Sequence, residues 1–375
     1  MKHKVVILGA GMVGRAMAID LGRDHEVLSV DRDPAALDLL KNKAGIKTQI
    51  ADLSQANVVT QVITGADIVV GAVPGFMGFE TLKTVIKAGK NIVDISFFPE
   101  DPFELDALAK KQGVIAIMDA GVAPGMSNLL LGYHNQHMQV SDFVCYVGGL
   151  PRERVWPYEY KAPFSPIDVI EEYTRTARYV EGGQVVEKPA LSEPELIDFP
   201  GVGTLEAFNT DGLRSLIHTI KAPNMKEKTL RYPGHIEIMR VLRETGFFRE
   251  DEIVVKGKSV RPIDLTTSLL FPKWKLGETE EEFTLMQISV SGSENGVPKT
   301  YQYDLLDRYD AETQTSSMAR TTGYTCTATT RLVLANRYRR TGISPPEFVG
   351  AESGCLEFIL GDLKKKNIHY CLTEK

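Results

Sequence analysis

The sequence predicts an α/β protein: a doubly wound parallel sheet followed by an α+β second domain with an antiparallel sheet. Three observations predict it. Over the first 120 residues, short β-branched apolar runs alternate with segments of helical spacing. A glycine-rich turn, "GAGMVG" at 9–14, joins the first run to the first helix. After residue 126 the alternation stops, and longer strand-like runs separated by turn clusters replace it.

The elements follow in order. "KVVIL" (4–8) is a buried-type strand, and "RAMAIDL" continues the turn as a helix. "HEVLSV" (25–30) is the next strand and delivers Asp31. "PAALDLLKNK" (34–43) reads as a helix, "IKTQIAD" (46–52) as a strand, and "SQANVVTQVIT" (54–64) as a helix capped by Ser54. "ADIVVGAV" (66–73), "NIVDIS" (91–96) and "VIAIMD" (114–119) are strands, with helices at 79–89 and 102–113 between them. In the second half, 127–138 is helical with Ser127 as its cap, and 141–150 is a strand. A helix is expected at 166–180 and a hairpin from "EGGQVVEKPAL". Runs at 252–260, 283–292, 298–306 and 313–321 read as antiparallel strands, and 324–342 as a long amphipathic helix ending at Gly342.

GxGxxG alone is a weak signal. Here it follows a strand, opens a helix, and is followed by an acid 17 residues after Gly14. That is the Rossmann dinucleotide fingerprint. Gly9 permits the tight turn, Gly11 lets the backbone reach a pyrophosphate, and Gly14 lets helix pack on strand, with Met12 and Val13 in the first helical turn. Asp31 suits the ribose hydroxyls of NAD and repels a 2′-phosphate, while Arg32 beside it leaves NADP as the lesser choice. The remaining strand ends are expected to line the cofactor crevice: Asp52 and Leu53, then Ala72, Val73 and Pro74, then Asp94, Ile95 and Ser96.

Composition limits the alternatives. The 375 residues suggest two domains, and 43% hydrophobic with 25% charged residues is ordinary for a globular chain. A net charge of −6 gives no reason to expect nucleic acid. No apolar run approaches the ~18 residues that span a bilayer, and the start shows no signal-peptide pattern, so a cytoplasmic protein with reduced thiols is expected. The four cysteines show no metal-ligand spacing, and His134 and His137 have no third ligand, so no metal is expected.

Six stretches carry a resemblance: "DAGVAPGM" (119–126), "YVGGLP" (146–151), "LEAFNTDGL" (205–213), "LRYPGH" (230–235), "MARTTGYT" (318–325) and "GISPPEFVG" (342–350). Through them nearly the whole chain resembles the saccharopine dehydrogenase-like family, most nearly its lysine 6-dehydrogenase branch. The resemblance implies NAD-dependent oxidation of the ε-amine of L-lysine to allysine with release of ammonia. The alternatives are a saccharopine-type secondary-amine dehydrogenase and a dinucleotide sensor without turnover. Saccharopine reductases carry an acid just before the Pro-Gly of the first stretch, where this chain has Ala123. The resemblance also implies a homodimer. It divides the chain into a dinucleotide domain at 1–121, a substrate and dimerisation domain at 122–321, a return to the first domain through 322–342, and a C-terminal tail at 343–375.

Such chemistry needs a group to take a proton from the amine and partners for the α-carboxylate and α-ammonium. Asp119, at the end of the sixth strand, is the acid expected near the reacting amine; a turn-stabilising Asp is the alternative. Arg231 is the expected carboxylate partner, or a surface ion pair. His235 is a base or proton relay, or a packed histidine. Cys145, Tyr146, Gly148 and Gly149 are expected to wall the pocket. Glu206 could pair with the ammonium, and Asn209 and Thr210 are weaker candidates.

Overall fold

The computed structural model describes residues 2–41, 43 and 45–375. Asn42, in the expected 34–43 helix, lies outside the described residues. In chain order the first elements are β1 (Lys4–Leu8), α1 (Met12–Leu21), β2 (Glu26–Asp31), α2 (Pro34–Lys41), β3 (Ile46–Ile50), α3 (Ala56–Val62), β4 (Ile68–Gly71), α4 (Gly75–Lys87), β5 (Asn91–Asp94), α5 (Asp106–Gln112), β6 (Ile115–Ile117) and α6 (Met126–His134). Then come β7 (Gln139–Pro151), α7 (Pro166–Thr174), β8 (Ala177–Glu181), β9 (Gln184–Lys188), β10 (Glu195–Phe199), β11 (Gly203–Asn209), α8 (Leu216–Thr219), β12 (Asn224–Arg231), α9 (His235–Thr245), β13 (Ile253–Val255), β14 (Lys258–Val260), α10 (Pro262–Trp274), β15 (Glu282–Glu294) and β16 (Val297–Arg308). The chain closes with α11 (Ser317–Leu334), β17 (Gly342–Ser344), α12 (Pro346–Ala351), α13 (Cys355–Lys364) and β18 (Cys371–Glu374).

The chain forms two compact units, one from Met1–Met138 with Met318–His369, the other from Gln139–Ser317 with Tyr370–Lys375. In the first, a parallel sheet runs in the order β17-β6-β5-β4-β1-β2-β3. The order reverses beside β1, which opens a crevice at the carboxyl ends of the strands. β1 and β4 are buried over nearly their whole length, as strands covered on both faces must be. A seventh strand, β17, pairs with β6 beyond the six expected.

The boundary lies at Met138, not at 121, because α6 packs on α12 at backbone contact. A Cβ on Gly132 would lie 2.1 Å from the Glu347 carbonyl oxygen, and one on Gly350 would lie 2.0 Å from that of Leu129. The expected tail at 343–375 is therefore structured: β17, α12 and α13 belong to the first unit and β18 to the second. The expected strand at 313–321 is instead a turn followed by the start of α11 at Ser317, and that helix ends at Leu334, before Gly342. Buried Thr side chains raise the apparent β propensity there. Inside the helix Thr325, Thr329 and Thr330 direct their hydroxyls to the carbonyls one turn back. α11 lies on α1, where Gly323 sits 3.1 Å (from its ideal Cβ) to Met17. Arg331 fastens the contact to Asp20 at 2.6 Å and Asp24 at 2.9 Å.

In the second unit β10-β11-β12-β7-β15-β16-β18 form the main path of a nine-stranded sheet. It is mixed, because β12 runs parallel to β7 while the other pairs on that path are antiparallel. The expected helix at 166–180 stops at Thr174, and β8 turns back through Gly182 and Gly183 into β9. Ser54 and Ser127 are not N-caps; Gln55 and Gly125 hold those positions.

Candidate functional site

The glycine turn is built as the fingerprint requires. Gly9 has φ +114°, and a Cβ there would lie 2.3 Å from the Ala72 carbonyl oxygen. A Cβ on Gly14 would lie 2.2 Å from the Gly9 carbonyl oxygen. Gly11 differs: a Cβ there meets no heavy atom within 4 Å. Gly11 is also the N-cap of α1 and offers no side-chain cap. Met12 and Val13, half-buried, begin the helix whose first N–H groups lack an intrahelical partner. Open space in front of an uncapped helix N-terminus fits a pyrophosphate.

Asp31 fastens this turn to β2. Its carboxylate accepts from the Ala10 N–H at 2.6 Å and the Asp33 N–H at 2.9 Å, while Arg32 is exposed. Asp52 is exposed and accepts from Ser54 through its N–H at 3.0 Å and its hydroxyl at 2.7 Å. Those bonds hold its carboxyl below the usual range. Leu53 is buried in the core of the sheet. Ala72 lies under Gly9, Val73 is buried, and Pro74 is the N-cap of α4. Ile95 donates its N–H to the Gly71 carbonyl at 3.1 Å, which continues the β4–β5 ladder.

Two buried acids end β5 and follow β6. Asp94 is 1% exposed and Asp119 2%. Asp94 Oδ1 accepts from the Ser96 N–H at 3.0 Å, with the Ser96 hydroxyl at 2.8 Å. Oδ2 has no hydrogen-bond partner among the described residues. Burial, opposed by the Ser96 bonds and reinforced by the nearby Asp119 charge, pushes the Asp94 carboxyl up to about 6. Asp119 stands at φ +53°, and the next N–H, of Ala120, donates to the Asp94 carbonyl at 2.9 Å.

In the second unit, Arg231 ends β12 and is 2% exposed. Its Nε donates to the Tyr173 hydroxyl at 3.1 Å and Nη1 to the Leu230 carbonyl at 3.0 Å. Nη2 meets the Glu172 carboxylate at 2.5 Å, and the guanidinium stacks 4.4 Å from the Tyr160 ring. The cation is thus neutralised from within the unit, so the expected part as a ready carboxylate partner does not hold in this state. His235 is buried as well. Nδ1 donates to the Tyr158 carbonyl at 2.8 Å, and Nε2 accepts from the Tyr173 hydroxyl at 2.9 Å. Burial first, then Arg231, pulls its imidazole down to about 3. A histidine held neutral with both nitrogens engaged is a packed histidine, not a base near neutrality. Sequence reasoning missed Glu172, Tyr160 and Tyr173, because only tertiary folding brings α7 and the loop before it against the end of β12.

The four expected wall residues on β7 do not share a face. Tyr146 pairs across to Lys228 and Cys145 to Glu227, so they point to opposite sides of the sheet. Tyr146 donates to Glu195 at 3.2 Å, and Glu195 pairs with Lys228 at 2.8 Å. Cys145, fully buried, shares its face with Glu206 and Arg231 by the strand registers. Gly148 is a packing position, where a Cβ would lie 2.7 Å from the Leu230 carbonyl oxygen, and Gly149 pairs with Thr284 of β15. Glu206 accepts from the Gly234 N–H at 3.0 Å, and Thr210 pairs with Thr229 at 3.0 Å. Asn209 donates to Tyr179 at 3.1 Å.

Known proteins resemble this arrangement. The profile of the saccharopine dehydrogenase NADP binding domain matches residues 5–117, and that of the saccharopine dehydrogenase C-terminal domain matches 121–368. The NADP+, L-glutamate-forming saccharopine dehydrogenase of Saccharomyces cerevisiae is 24% identical over 276 residues, 69% of this chain and 62% of that protein. The mitochondrial alpha-aminoadipic semialdehyde synthase of Bos taurus is 25% identical over 70% of this chain and 30% of its own length. The matches thus span less than two thirds of these curated relatives. Among solved structures, apo saccharopine dehydrogenase (L-Glu forming) from S. cerevisiae superposes with TM-score 0.79 at 20% identity, covering 100% of this chain and 99% of that one. Homospermidine synthase from Legionella pneumophila, solved with NAD, gives 0.69 at 11% identity, covering 100% and 92%.

Proposed function

The chain belongs to the saccharopine dehydrogenase family, and we propose that it is an oxidoreductase of CH–NH amine donors, of the saccharopine type, using a nicotinamide dinucleotide. The observation that carries this is the match of both family domains, in order, over 5–117 and 121–368. The open turn at Gly11 supports the dinucleotide. The names of the curated relatives correct the emphasis on lysine alone, since they point first to a secondary amine.

The bound nicotinamide supplies a hydride acceptor. The chain supplies the rest. The Gly9–Gly14 turn and the α1 N-terminus would hold the pyrophosphate, and Asp31 would bind the adenosine ribose hydroxyls. Asp119 takes the proton that the ammonium must lose before its carbon gives up hydride. The amine becomes an imine, water adds, and the C–N bond breaks to release an aldehyde and an amine.

Two finer choices remain within this reading. The relatives' names carry NADP, whereas the negative charge of Asp31 supports NAD. For the substrate, Ala123 in place of an acid supports lysine as the second reading. Mass analysis of the products separates the substrates. Glutamate formed from saccharopine establishes the first, ammonia formed from lysine establishes the second, and neither product refutes both.

A further inference from the structure

β13 and β14 stand apart from the nine-stranded sheet as a two-stranded sheet of their own. Every residue from Asp251 to Ser259 is exposed, and Val254, at 77%, is the most exposed large aliphatic among the described residues. A lone hairpin is marginally stable in water, and its open edges are templates for a further strand. Lys256 (φ +48°) and Gly257 (φ +80°) form its two-residue turn. Val255 pairs with Lys258, Val254 with Ser259 and Ile253 with Val260. Such a turn closes on a hydrogen-bonded pair, and these pairs alternate along the ladder. Val255 and Ile253 therefore direct their N–H and C=O groups to β14, while Val254 turns its own to the open edge of β13.

The sequence about Val254 is self-complementary. Two copies of β13, antiparallel on a two-fold axis at Val254, set Val254 opposite Val254, where the outward N–H and C=O groups exchange two hydrogen bonds. Ile253 then falls opposite Val255 at the closer, non-hydrogen-bonded positions, and Glu252 opposite Lys256. By alternation Ile253, Val255 and Val260 share one face of the hairpin, so the joined sheet gathers these β-branched side chains from both copies on one surface. The neighbouring charges are paired within the chain, Arg249 with Asp251, and Arg261 with Glu250 and Asp264. Glu252 accepts from the Ser259 hydroxyl at 2.5 Å, but neither it nor Lys256 has an ion-pair partner among the described residues.

A few strand residues cannot supply the roughly 800 Å² per partner that a stable interface buries. The base of the hairpin is tied to α10: Arg261 Nε donates to the Glu250 carbonyl at 3.0 Å, the Ile263 N–H to the Arg249 carbonyl at 3.0 Å, and the Thr266 hydroxyl to the Phe247 carbonyl at 2.7 Å. Phe247, Leu265 and Leu269, in these tied segments, are exposed as well.

We propose that the hairpin is a homodimer interface: β13 pairs with β13 of a second copy about a two-fold axis at Val254, flanked by the apolar surface of Phe247, Leu265 and Leu269. This goes beyond the functional reading and does not rest on it.

Sedimentation of the full chain over a range of concentrations is expected to show a dimer, twice the 41.5 kDa of one chain. Glu252→Lys and Lys256→Glu each set like charges opposite one another at both ends of the pairing, and each is expected to weaken the dimer roughly tenfold or more. An equimolar mixture of the two variants is expected to recover the affinity in a mixed dimer, where every opposed pair again differs in sign. That recovery separates a lost contact from a folding defect. A chain that stays monomeric at high micromolar concentration, a dimer that both single variants leave intact, or a mixture that recovers nothing overturns the proposal. A hairpin that serves a different protein gives the first of these results.

Discussion

Gly11 and Gly9 lie two residues apart in one turn, yet the structure predicts opposite consequences for adding one methyl group. At Gly11 the new Cβ meets nothing within 4 Å, and φ is −61°, open to any residue. Replacing glycine by alanine at an N-cap costs about 0.5–1 kcal/mol. For a chain of this size that is a fall in Tm of about 1 °C. The methyl, however, fills the space through which backbone N–H groups would reach a pyrophosphate. A hydrogen bond to a charged group contributes about 1.5–3 kcal/mol, so losing one weakens dinucleotide binding roughly 10- to 150-fold. At Gly9 the Cβ would lie 2.3 Å from a backbone oxygen, with φ at +114°. Neither the oxygen nor the turn can yield cheaply, so Gly9→Ala costs about 3 kcal/mol or more. The assay is a thermal melt of each variant beside a fluorescence titration with NADH and NADPH. Wild-type dinucleotide affinity in Gly11→Ala, or a wild-type melt in Gly9→Ala, refutes the reasoning.

Further outcomes follow from the charged groups. Asp31→Asn removes the charge and leaves one side-chain oxygen where Asp31 uses one for the Ala10 N–H and the other for the Asp33 N–H; the ratio of kcat/KM with NADP to that with NAD is expected to rise roughly tenfold or more. His235 titrates near 3 when folded against about 6.5 unfolded, so the unfolded chain binds the extra proton between those values. Stability therefore falls as pH drops below about 6.5, by about 2 kcal/mol at pH 5, and His235→Gln removes that part of the slope in denaturant titrations across pH. Burial would raise Asp20, but Arg331, Lys366 and Thr327 hold it below its usual value. Its contribution is thus complete above about pH 4 and is lost as pH falls through the depressed folded value. Asp20→Asn is expected to cost about 3 kcal/mol at neutral pH, a deficit that shrinks in strong acid.

Local pattern made the first unit legible. Apolar runs, a glycine turn and an acid at the right offset specify a βαβ succession whose geometry is nearly fixed, so Gly9, Gly11, Gly14 and Asp31 could be named and given parts from their spacing. The seventh strand was not legible, because "GIS" at 342–344 is too short to show periodicity, and its pairing with β6 is a long-range event. The second unit was less readable for a related reason. Alternation alone puts the adjacent Cys145 and Tyr146 on opposite sides of the sheet, but which side joins Glu206 and Arg231 depends on the registers of β7, β11 and β12, which are long-range. Arg231 and His235 were found by residue type, but their burial depends on Glu172, Tyr160 and Tyr173, distant in sequence. Asp94 stood out only as a strand end; its burial and its two bonds from Ser96 exist only in the folded unit.

The most direct test is a rate: the appearance of reduced nicotinamide when the purified full chain is given saccharopine, L-lysine or no amine, each with NAD and with NADP. The account predicts reduction with saccharopine or lysine, abolished by Asp119→Asn and sharply slowed by Gly11→Ala. Absence of reduction with both amines and both dinucleotides, from a folded protein that binds the dinucleotide, would contradict it.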